Sequence, residues 1–338
     1  MRILTCLKPG EFTYSDTPAP ELKSGHAMVK VKRIGICGTD LHAFEGTQPF
    51  FNYPRVLGHE LAGEIVGIEN HANYKVGDQV SIIPYFSCGT CFACTQGKTN
   101  CCTTLNVFGV HSDGGMSEFI SIPIDSLFKD TSLNLDALAL LEPLAIGAHG
   151  IKRAQIKPNE FVLIVGAGPI GLGAAAMASL AGAQVIIQDV NQNRLDFAKE
   201  KLHIPFSINP NQEDAFIALK EITRGNMPRV VIDATGYKKA MEQSFQYISH
   251  GGTYVLIGLQ LDEISFSHPE FHKREATLMS SRNATREDFQ WVADSIGQQK
   301  LDPTLFISHR IAFDDVAAQF PDLINPSLGV IKAMVSFE

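Results

Sequence analysis

Short apolar and polar runs alternate through the first 145 or so residues and are separated by glycine and proline. Residues 27–32, 64–68 and 79–83 are examples of these runs. A period of two between turn residues is typical of β-strands that bury one face. This part of the chain is therefore expected to form a β-rich module.

The pattern changes near residue 150 to continuous apolar runs, at 161–165, 185–187, 230–232 and 254–257. Strands with no polar alternation are expected in a parallel sheet that is buried on both faces. Stretches with helical spacing separate these runs, at 172–180, 195–202 and 238–248, and another follows at 286–297. The alternation of strand and helix predicts a doubly wound, Rossmann-type domain with a parallel sheet.

These patterns predict an α/β protein with two domains. A chain of 338 residues exceeds the size at which single cores usually stop growing. We predict a catalytic domain at 1–149 with a cysteine-rich lobe at 86–104, a cofactor-binding domain at 150–282, and a return to the first domain at 283–338.

Charge and composition limit the partners and the location. The net charge of −8 argues against nucleic acid or an anionic membrane as the main partner, because both attract cationic surfaces. The most apolar stretch, 161–182, contains five glycines and a proline, which indicates strand, turn and helix rather than a membrane span. Because the N-terminus lacks a signal-peptide pattern, we expect a cytoplasmic protein that acts on a small molecule.

Five of the seven cysteines lie between Cys88 and Cys102, which favours metal ligation over a disulfide framework. The spacing Cys88-x2-Cys91-x2-Cys94-x7-Cys102 supplies four thiolates, enough to close a tetrahedral zinc shell. A closed shell has no open position, so we expect this zinc to be structural. The alternative is a surface loop with unrelated cysteines. A nucleic-acid-binding zinc ribbon does not fit the acidic charge balance.

A second group of candidate ligands consists of Cys37, His59 and Glu60. These side chains could give one zinc three protein bonds and leave a fourth position open, which is the arrangement of a catalytic site. Each residue alone is more often structural or solvated. Their joint occurrence upstream of a cysteine lobe favours the metal site.

A glycine fingerprint follows the apolar run at 161–165 and opens an alanine-rich helix. Such a turn lets a dinucleotide pyrophosphate approach the backbone at a helix N-terminus. Asp189, at the end of the next strand, is placed to accept ribose hydroxyls and to repel a 2′-phosphate, so NAD is expected over NADP. A buried capping aspartate is the alternative. The predicted cofactor-binding set is Gly166, Gly168, Pro169, Ile170, Gly171, Asp189 and Arg194.

Together these motifs resemble the zinc-dependent medium-chain dehydrogenases, specifically their polyol (sorbitol) dehydrogenase branch, over the whole chain. The other stretches that carry the resemblance are Gly35-x-Cys37-Gly38-Thr39-Asp40-x-His42, Gly58-His59-Glu60-x3-Glu64-x-Val66, Asp113-Gly114-Gly115-x3-Phe119 and Leu141-Glu142-Pro143. The resemblance implies a GroES-like catalytic domain, a Rossmann cofactor domain, two zinc ions per subunit and NAD. It also implies a homodimer or homotetramer, with 254–258 as a plausible edge strand for pairing.

The resemblance implies a role for each candidate metal ligand. Cys37, His59 and Glu60 would hold the catalytic zinc. Glu142 would enter or leave its shell, at the position where alcohol dehydrogenases carry a second cysteine. Glu142 could instead, or in addition, be a carboxylate at a helix N-terminus beside Pro143. In the lobe, Cys102 completes the family spacing, which makes its neighbour Cys101 a bystander.

The resemblance further implies a proton path from Thr39 through the cofactor ribose to His42 and solvent. Zinc would lower the pKa of the substrate hydroxyl, and hydride would pass to the nicotinamide. Glu60 counts among the catalytic residues because its charge, with that of Cys37, balances the ion. Histidine suits proton exit because its side chain titrates near neutrality. A plain surface histidine is the alternative for His42.

Three stretches, at 48–60, 269–273 and 281–285, resemble the bacterial L-galactonate 5-dehydrogenases within this branch. A sugar-acid substrate needs a cation, and we assign Arg282 with Asn283 to its carboxylate, since a guanidinium binds carboxylates bidentately. Lys273 and Arg274 are as well explained as solvated charges.

The aromatic residues Phe50, Phe51 and Tyr53 stay unassigned, because aromatics before a buried strand are more often part of the core. The alternative activities are a polyol or L-threonine 3-dehydrogenase and a non-catalytic nucleotide-binding relative. A zinc-free quinone reductase would lack the cysteine lobe.

Overall fold

The computed structural model describes residues 1–48 and 51–337. The strands are β1 (Arg2–Lys8), β2 (Glu11–Asp16), β3 (His26–Ile36), β4 (Arg55–Val56), β5 (Glu60–Ile68), β6 (Gln79–Ile82), β7 (Tyr85–Phe86), β8 (Asn106–Val107), β9 (Phe119–Pro123), β10 (Leu127–Phe128), β11 (Phe161–Val165), β12 (Gln184–Gln188), β13 (Phe206–Ile208), β14 (Val230–Asp233), β15 (Thr253–Leu256), β16 (Thr277–Ser280), β17 (Ile307–Ala312) and β18 (Lys332–Ser336). The helices are α1 (Gly38–Glu45), α2 (Phe92–Thr95), α3 (Leu135–Ala154), α4 (Pro169–Leu180), α5 (Gln192–Lys201), α6 (Ala215–Ile222), α7 (Lys238–Ser244), α8 (His268–Lys273), α9 (Arg286–Gly297) and α10 (Val316–Gln319).

The chain divides into two compact units, Met1–Pro143 with Thr285–Glu338, and Leu144–Ala284. The domain boundaries that we predict at 149/150 and 282/283 stay a prediction. No helix in the described part of the chain is both long enough and apolar enough to cross a membrane.

The first unit is built on a sheet of order β10-β6-β5-β3-β18-β17, with β9 also paired to β3. β3 pairs antiparallel with β5, which sets Gly35 opposite Glu60, and antiparallel with β18, which sets Ile36 opposite Ala333. The alternating apolar residues of β3 are buried in the core, as the period of two predicts. This register brings the end of β3, the start of β5 and the start of β18 to one place.

The second unit contains a parallel six-stranded sheet of order β13-β12-β11-β14-β15-β16. The apolar runs read from the sequence form its inner strands, which confirms the Rossmann-type fold class. The suggestion that 254–258 is an edge strand was wrong, because β15 lies between β14 and β16. That run is apolar because the strand is internal, and Tyr254 and Val255 are fully buried.

The 20-residue helix α3 has no counterpart among the helices that the sequence pattern predicted. Its N-terminal half is almost continuously apolar, and Leu138, Leu141 and Leu144 are buried, so no polar face marks the helical period. Glu142 lies within α3, well after its first residue Leu135. Glu142 is therefore not a helix N-terminal carboxylate.

Candidate active site and metal centres

The four cysteines of the predicted structural-zinc lobe come together in the first unit. The sulfur atoms of Cys88, Cys91, Cys94 and Cys102 all lie within 4.8 Å of one another. Cys91 Sγ is 3.5 Å from Cys94 Sγ. Four sulfurs around one zinc at about 2.3 Å would be roughly 3.8 Å apart in a tetrahedron. The donor set and its spacing therefore fit a closed zinc site.

Backbone N–H groups stabilise the thiolates of Cys88 and Cys102 in this lobe, whereas burial raises the pKa of the Cys94 thiol to about 11. The N–H of Cys91 donates to Cys88 Sγ and the N–H of Cys88 donates to Cys102 Sγ, both at 3.3 Å. Hydrogen bonds, first from the Thr90 hydroxyl and then from backbone N–H groups, lower the pKa of the Cys88 thiol to about 5. Cys101 is exposed and lies outside the group of four.

A second group consists of the partly buried Cys37 and the buried His59 and Glu60, whose ligand atoms also lie within 4.8 Å of one another. Cys37 follows β3 and is the N-cap residue of α1, where the helix dipole stabilises negative charge. His59 and Glu60 stand at the start of β5. The pairing of Gly35 with Glu60 across β3 and β5 therefore joins the two ligand-bearing turns.

Gly35 makes room for the Glu60 carboxylate. A Cβ atom added at Gly35 would lie 2.0 Å from Glu60 Oε2, far inside van der Waals contact. Because Glu60 is fully buried, its carboxylate has little space to move elsewhere. Position 35, two residues before Cys37, therefore requires a glycine, because any side chain there would collide with Glu60.

Asp40 links the same two turns, and sequence reasoning gave it no role. Its buried carboxylate accepts the Cys37 N–H at 2.9 Å and the Gly58 N–H at 3.2 Å. Its Oδ1 lies 3.7 Å from His59 Nδ1. Burial lowers the pKa of His59, but negative charge, first from Asp40 and then from Cys37, outweighs burial and raises that pKa well above its ordinary value. The sequence does contain a signal for this role of Asp40, because an acidic residue three positions after a helix N-cap is typical of a capping box.

Lys332 is a buried cation at this site, and the sequence pattern did not predict its role. Its side chain is 2% exposed, and its Nζ lies 2.6 and 2.7 Å from the two carboxylate oxygens of Glu60. It also donates to the carbonyl of Ile36 at 3.1 Å. Burial lowers the pKa of Lys332, but the charge of Glu60 and then Cys37 more than compensates and raises it. A lone lysine in the apolar run 331–335 was the signal.

Glu142 is buried beside this group and uses its two oxygens differently. Oε1 accepts a hydrogen bond from the Tyr85 hydroxyl. Oε2 is buried and has no hydrogen-bond partner among the described residues. Burial first, and the charge of Glu60 next among the raising causes, raises the pKa of Glu142 to about 7. Tyr85 is a further residue that the sequence did not single out.

The residues around Cys37 fit a divalent metal ion. Besides Asp40, three potential anions, Cys37, Glu60 and Glu142, lie near the buried Lys332, and the unpartnered Oε2 of Glu142 needs a donor or a cation. Thiolate, imidazole and carboxylate are the three ligand types that zinc accepts. Because both oxygens of Glu60 contact Lys332, its role as a direct ligand stays a prediction, as does that of Glu142.

The predicted proton-path residues Thr39 and His42 both belong to α1. Residues three apart on a helix share a face. The His42 side chain is 60% exposed, and its Nδ1 lies 3.2 Å from Thr47 Oγ1 and 3.5 Å from the Glu45 carboxylate. This arrangement fits proton exit to solvent, and the path stays a prediction.

The glycine fingerprint of the second unit has the geometry of a dinucleotide turn. Gly166 has a φ of +100°, and a Cβ at Gly171 would lie 1.8 Å from the Gly166 carbonyl oxygen. Gly168 faces open space and caps α4, which begins at Pro169 and continues through Ile170. The helix therefore presents N-terminal N–H groups beside an uncrowded backbone.

Asp189 follows β12 and accepts two backbone N–H groups, from Ala167 at 2.6 Å and Asn191 at 2.8 Å. The carboxylate is thereby joined directly to the glycine turn. Arg194 lies in the first turn of α5. Their roles toward the cofactor stay predictions.

The predicted substrate residues Arg282 and Asn283 follow β16 in the second unit. Arg282 is exposed. Asn283 has a φ of +53°, and its buried Nδ2 has no hydrogen-bond partner among the described residues. Lys273 and Arg274 both pair with Glu270, at 3.8 and 2.7 Å. The exposed Lys273 fits a solvated charge, whereas the Arg274 side chain is only 14% exposed and also donates to the Ile248 carbonyl, so its pairing is structural.

The aromatic segment before β4 is described only in part, since Phe50 lies outside the described residues. The rings of Phe51 and Tyr53 are 5.0 Å apart and pack against the core of the first unit.

Comparison with known proteins identifies the family. Residues 23–132 match the alcohol dehydrogenase GroES-like domain, and residues 169–298 match the zinc-binding dehydrogenase domain. The chain is 45% identical to the L-galactonate-5-dehydrogenase of Escherichia coli K12, over 100% of this chain and 99% of that protein. It is 30% identical to a sorbitol dehydrogenase of Halalkalibacterium halodurans, over 90% of each.

A solved alcohol dehydrogenase from Escherichia coli CFT073, complexed with NADH, superposes with a TM-score of 0.92. The two chains are 29% identical, and the match covers 100% of this chain and 99% of that one. The expected enzyme class and the expected zinc and nicotinamide cofactors are confirmed. The chain belongs to the zinc-dependent medium-chain dehydrogenases, whose members join a GroES-like domain to a Rossmann-type domain.

Proposed function

We propose that the chain transfers a hydride between a secondary alcohol of a sugar acid and NAD, at a zinc held by Cys37, His59 and a carboxylate. The buried cluster of thiolate, imidazole and carboxylate groups is the observation that carries this proposal. The full-length similarity to an L-galactonate-5-dehydrogenase supports the choice of a sugar acid. The four-cysteine lobe then holds a second, structural ion.

Zinc, when bound, supplies a Lewis acid for the substrate oxygen, and NAD supplies the hydride acceptor. Asp40 Oδ1 lies 3.7 Å from His59 Nδ1, so its negative charge faces the imidazole ring that would bind the metal. Lys332 offsets the charge of Glu60. Cys37 and one further carboxylate then balance the two charges of the ion.

Thr39 and His42 would carry the substrate proton outward. The Thr39 hydroxyl accepts that proton through hydrogen bonding, and the exposed His42 side chain releases it to solvent. Glu45 and Thr47, which lie near His42 Nδ1, orient the ring.

Arg282 and Asn283 are proposed to bind the substrate carboxylate. A guanidinium offers a bidentate pair of donors, and the buried Asn283 amide has donors to spare. A polyol is the second candidate substrate, because the chain also resembles a sorbitol dehydrogenase and carries Glu142 where alcohol dehydrogenases have cysteine.

We also propose a cytoplasmic homodimer or homotetramer. Free cysteines gathered in metal-binding spacing support a reducing compartment. With the edge-strand suggestion for 254–258 corrected, β16 is one of the two end strands of the sheet and a candidate for pairing, and its Leu278 is exposed.

A substrate screen tests the proposal. NAD⁺ reduction is followed with L-galactonate, L-gulonate, L-idonate, sorbitol and L-threonine, with and without a chelator. We expect the highest kcat/KM with a sugar acid, and no activity once zinc is removed.

A pair of variants tests the carboxylate site. Arg282→Met should lower kcat/KM for the sugar acid by about tenfold or more, because a charge-assisted hydrogen bond contributes roughly 1.5–3 kcal/mol. Sorbitol turnover should change little. Lys273→Met serves as the matched control. An equal loss for sugar acid and sorbitol would show that Arg282 does not bind the carboxylate.

A further inference from the structure

The two buried carboxylates beside Cys37 have different partners. Both oxygens of Glu60 contact the ammonium group of Lys332, at 2.6 and 2.7 Å. Glu142 instead receives one hydrogen bond, from the neutral hydroxyl of Tyr85 on Oε1, and its Oε2 has no hydrogen-bond partner within the described residues. A cation neutralises its partner, whereas a hydroxyl fixes a carboxylate and leaves its charge in place.

We propose that Tyr85 is a positioning residue that holds Glu142 by Oε1 and thereby presents Oε2 alone to the catalytic zinc. The inference rests on the zinc site of the proposed function. It adds the residue that limits Glu142 to ligation through a single oxygen.

The charges of the site support an arrangement in which Glu60 pairs with Lys332 and Glu142 is left for the metal. The buried ion pair of Lys332 and Glu60 is neutral as a whole. Cys37 and Glu142 then supply two negative charges that balance a zinc ion, and the further charge of Asp40 is held by the backbone N–H groups of Cys37 and Gly58. Buried charge is costly unless it is compensated, which favours this arrangement.

The position of Tyr85 explains how its hydroxyl is held in place. Tyr85 opens the short strand β7, which pairs with β8 through Tyr85 and Val107. The four lobe cysteines lie on the chain between these two strands, from Cys88 to Cys102. A metal ion that closes the lobe would also tie the ends of β7 and β8 together. The structural site therefore supports the residue that positions Glu142.

The test uses cobalt(II) in place of zinc in the full-length protein, because its visible absorption reports the ligands of the ion. Tyr85→Phe removes only the hydroxyl. We expect an altered cobalt spectrum and a dissociation constant of the catalytic-site metal that rises about tenfold, as is usual when a partner of a metal ligand is lost. Chelator competition measures the constant without reference to activity.

Tyr74→Phe is the matched control, because Tyr74 donates its hydroxyl to the Leu127 carbonyl at 2.7 Å elsewhere in the first unit. It should leave the spectrum and the constant unchanged. In a Glu142→Ala background, Tyr85→Phe should have no further effect, since Tyr85 acts through Glu142. This second variant separates positioning from a general loss of packing.

An unchanged spectrum and constant in Tyr85→Phe would overturn the inference and leave the proposed function intact. A Tyr85→Phe effect that persists in the Glu142→Ala background would also overturn it. A wild-type protein that binds metal only at the lobe would overturn the catalytic zinc site itself, and with it this inference.

Discussion

The two candidate zinc sites of the first unit differ in how the chain assembles them. The lobe takes four identical donors from one short segment, Cys88 to Cys102. The buried site takes unlike groups from positions 37 to 142, and its counter-ion, Lys332, comes from the last strand. A closed site can therefore be local, whereas a site that keeps a position open depends on the sheet topology.

The surroundings of the two sites differ as well. In the lobe, Cys88 is exposed and Cys91 is partly exposed, so solvent helps to stabilise these two thiolates, while Cys94 and Cys102 are buried. The donors at the buried site are shielded, and Asp40 and Lys332 supply the hydrogen bonds and charge that water would otherwise provide. We conclude that the buried site depends on hydrogen-bonding and charged partners such as Asp40 and Lys332, whereas the lobe depends mainly on its metal ion.

Replacing a ligand of the buried site should have the largest effect. Cys37→Ser should lower kcat by roughly 10³-fold or more, because zinc contributes several kcal/mol of charge stabilisation to the reaction. The zinc content should fall from two ions to one with little change in Tm. Metal analysis and steady-state kinetics on the same sample measure this. Two retained zinc ions would contradict the assignment of Cys37.

Removing the buried cation Lys332 should show that the buried site, unlike the lobe, depends on a compensating charge. Lys332→Met leaves the Glu60 charge buried without a partner, which we expect to lower the free energy of unfolding of the zinc-free protein by about 3–5 kcal/mol. Added zinc should recover part of this loss by neutralising Glu60. Urea unfolding with and without zinc measures both effects. If Lys332→Met lowered the free energy of unfolding equally in the two conditions, zinc would not neutralise the charge of Glu60.

Replacing a lobe ligand should affect stability more than activity, which is the reverse of the effect expected for Cys37→Ser. Cys94→Ser should remove the other zinc ion and lower the stability by roughly 3 kcal/mol, or about 5–10 °C in Tm. The activity should fall only about tenfold, through the loosened Tyr85. Calorimetry and kinetics are compared with those of Cys37→Ser. A loss of activity as large as that of Cys37→Ser, in folded protein, would mean that the lobe takes part in the chemistry.

A partly buried ion-pair network, formed by Asp136 with Arg33 and Arg310, should give the smallest effect and serves as a reference for Lys332. Burial raises the pKa of Asp136, but hydrogen bonds from Arg310 and Arg33, at 2.6 and 2.8 Å, outweigh it and lower that pKa. A depressed folded-state pKa adds stability above the unfolded value, and this stability is lost as the pH falls through the folded value.

Asp136→Asn should therefore cost about 1–2 kcal/mol at pH 7, and the difference from the wild type should begin to shrink near the unfolded-state pKa of about 4 and vanish only below the lower folded-state pKa. Urea unfolding at several pH values measures this difference. A constant difference at all pH values would exclude an ionic origin.

The same contrast explains what the sequence could predict. The cysteine spacing, the glycine fingerprint and the apolar strands are local patterns, and the fold class that they predicted is confirmed. Lys332 and Tyr85 were missed because their contacts depend on pairing between distant strands. Helix α3 was missed because its apolar half shows no helical period, and β15 was misjudged as an edge because the strand order is not a local property.

The most direct test of the account measures NAD⁺ reduction by a sugar acid and the zinc content in the same sample. Both are followed before zinc removal, after complete removal, and as zinc is added back. We predict that activity disappears with the metal and returns when the buried site refills. Full activity in protein that contains no zinc would contradict the account.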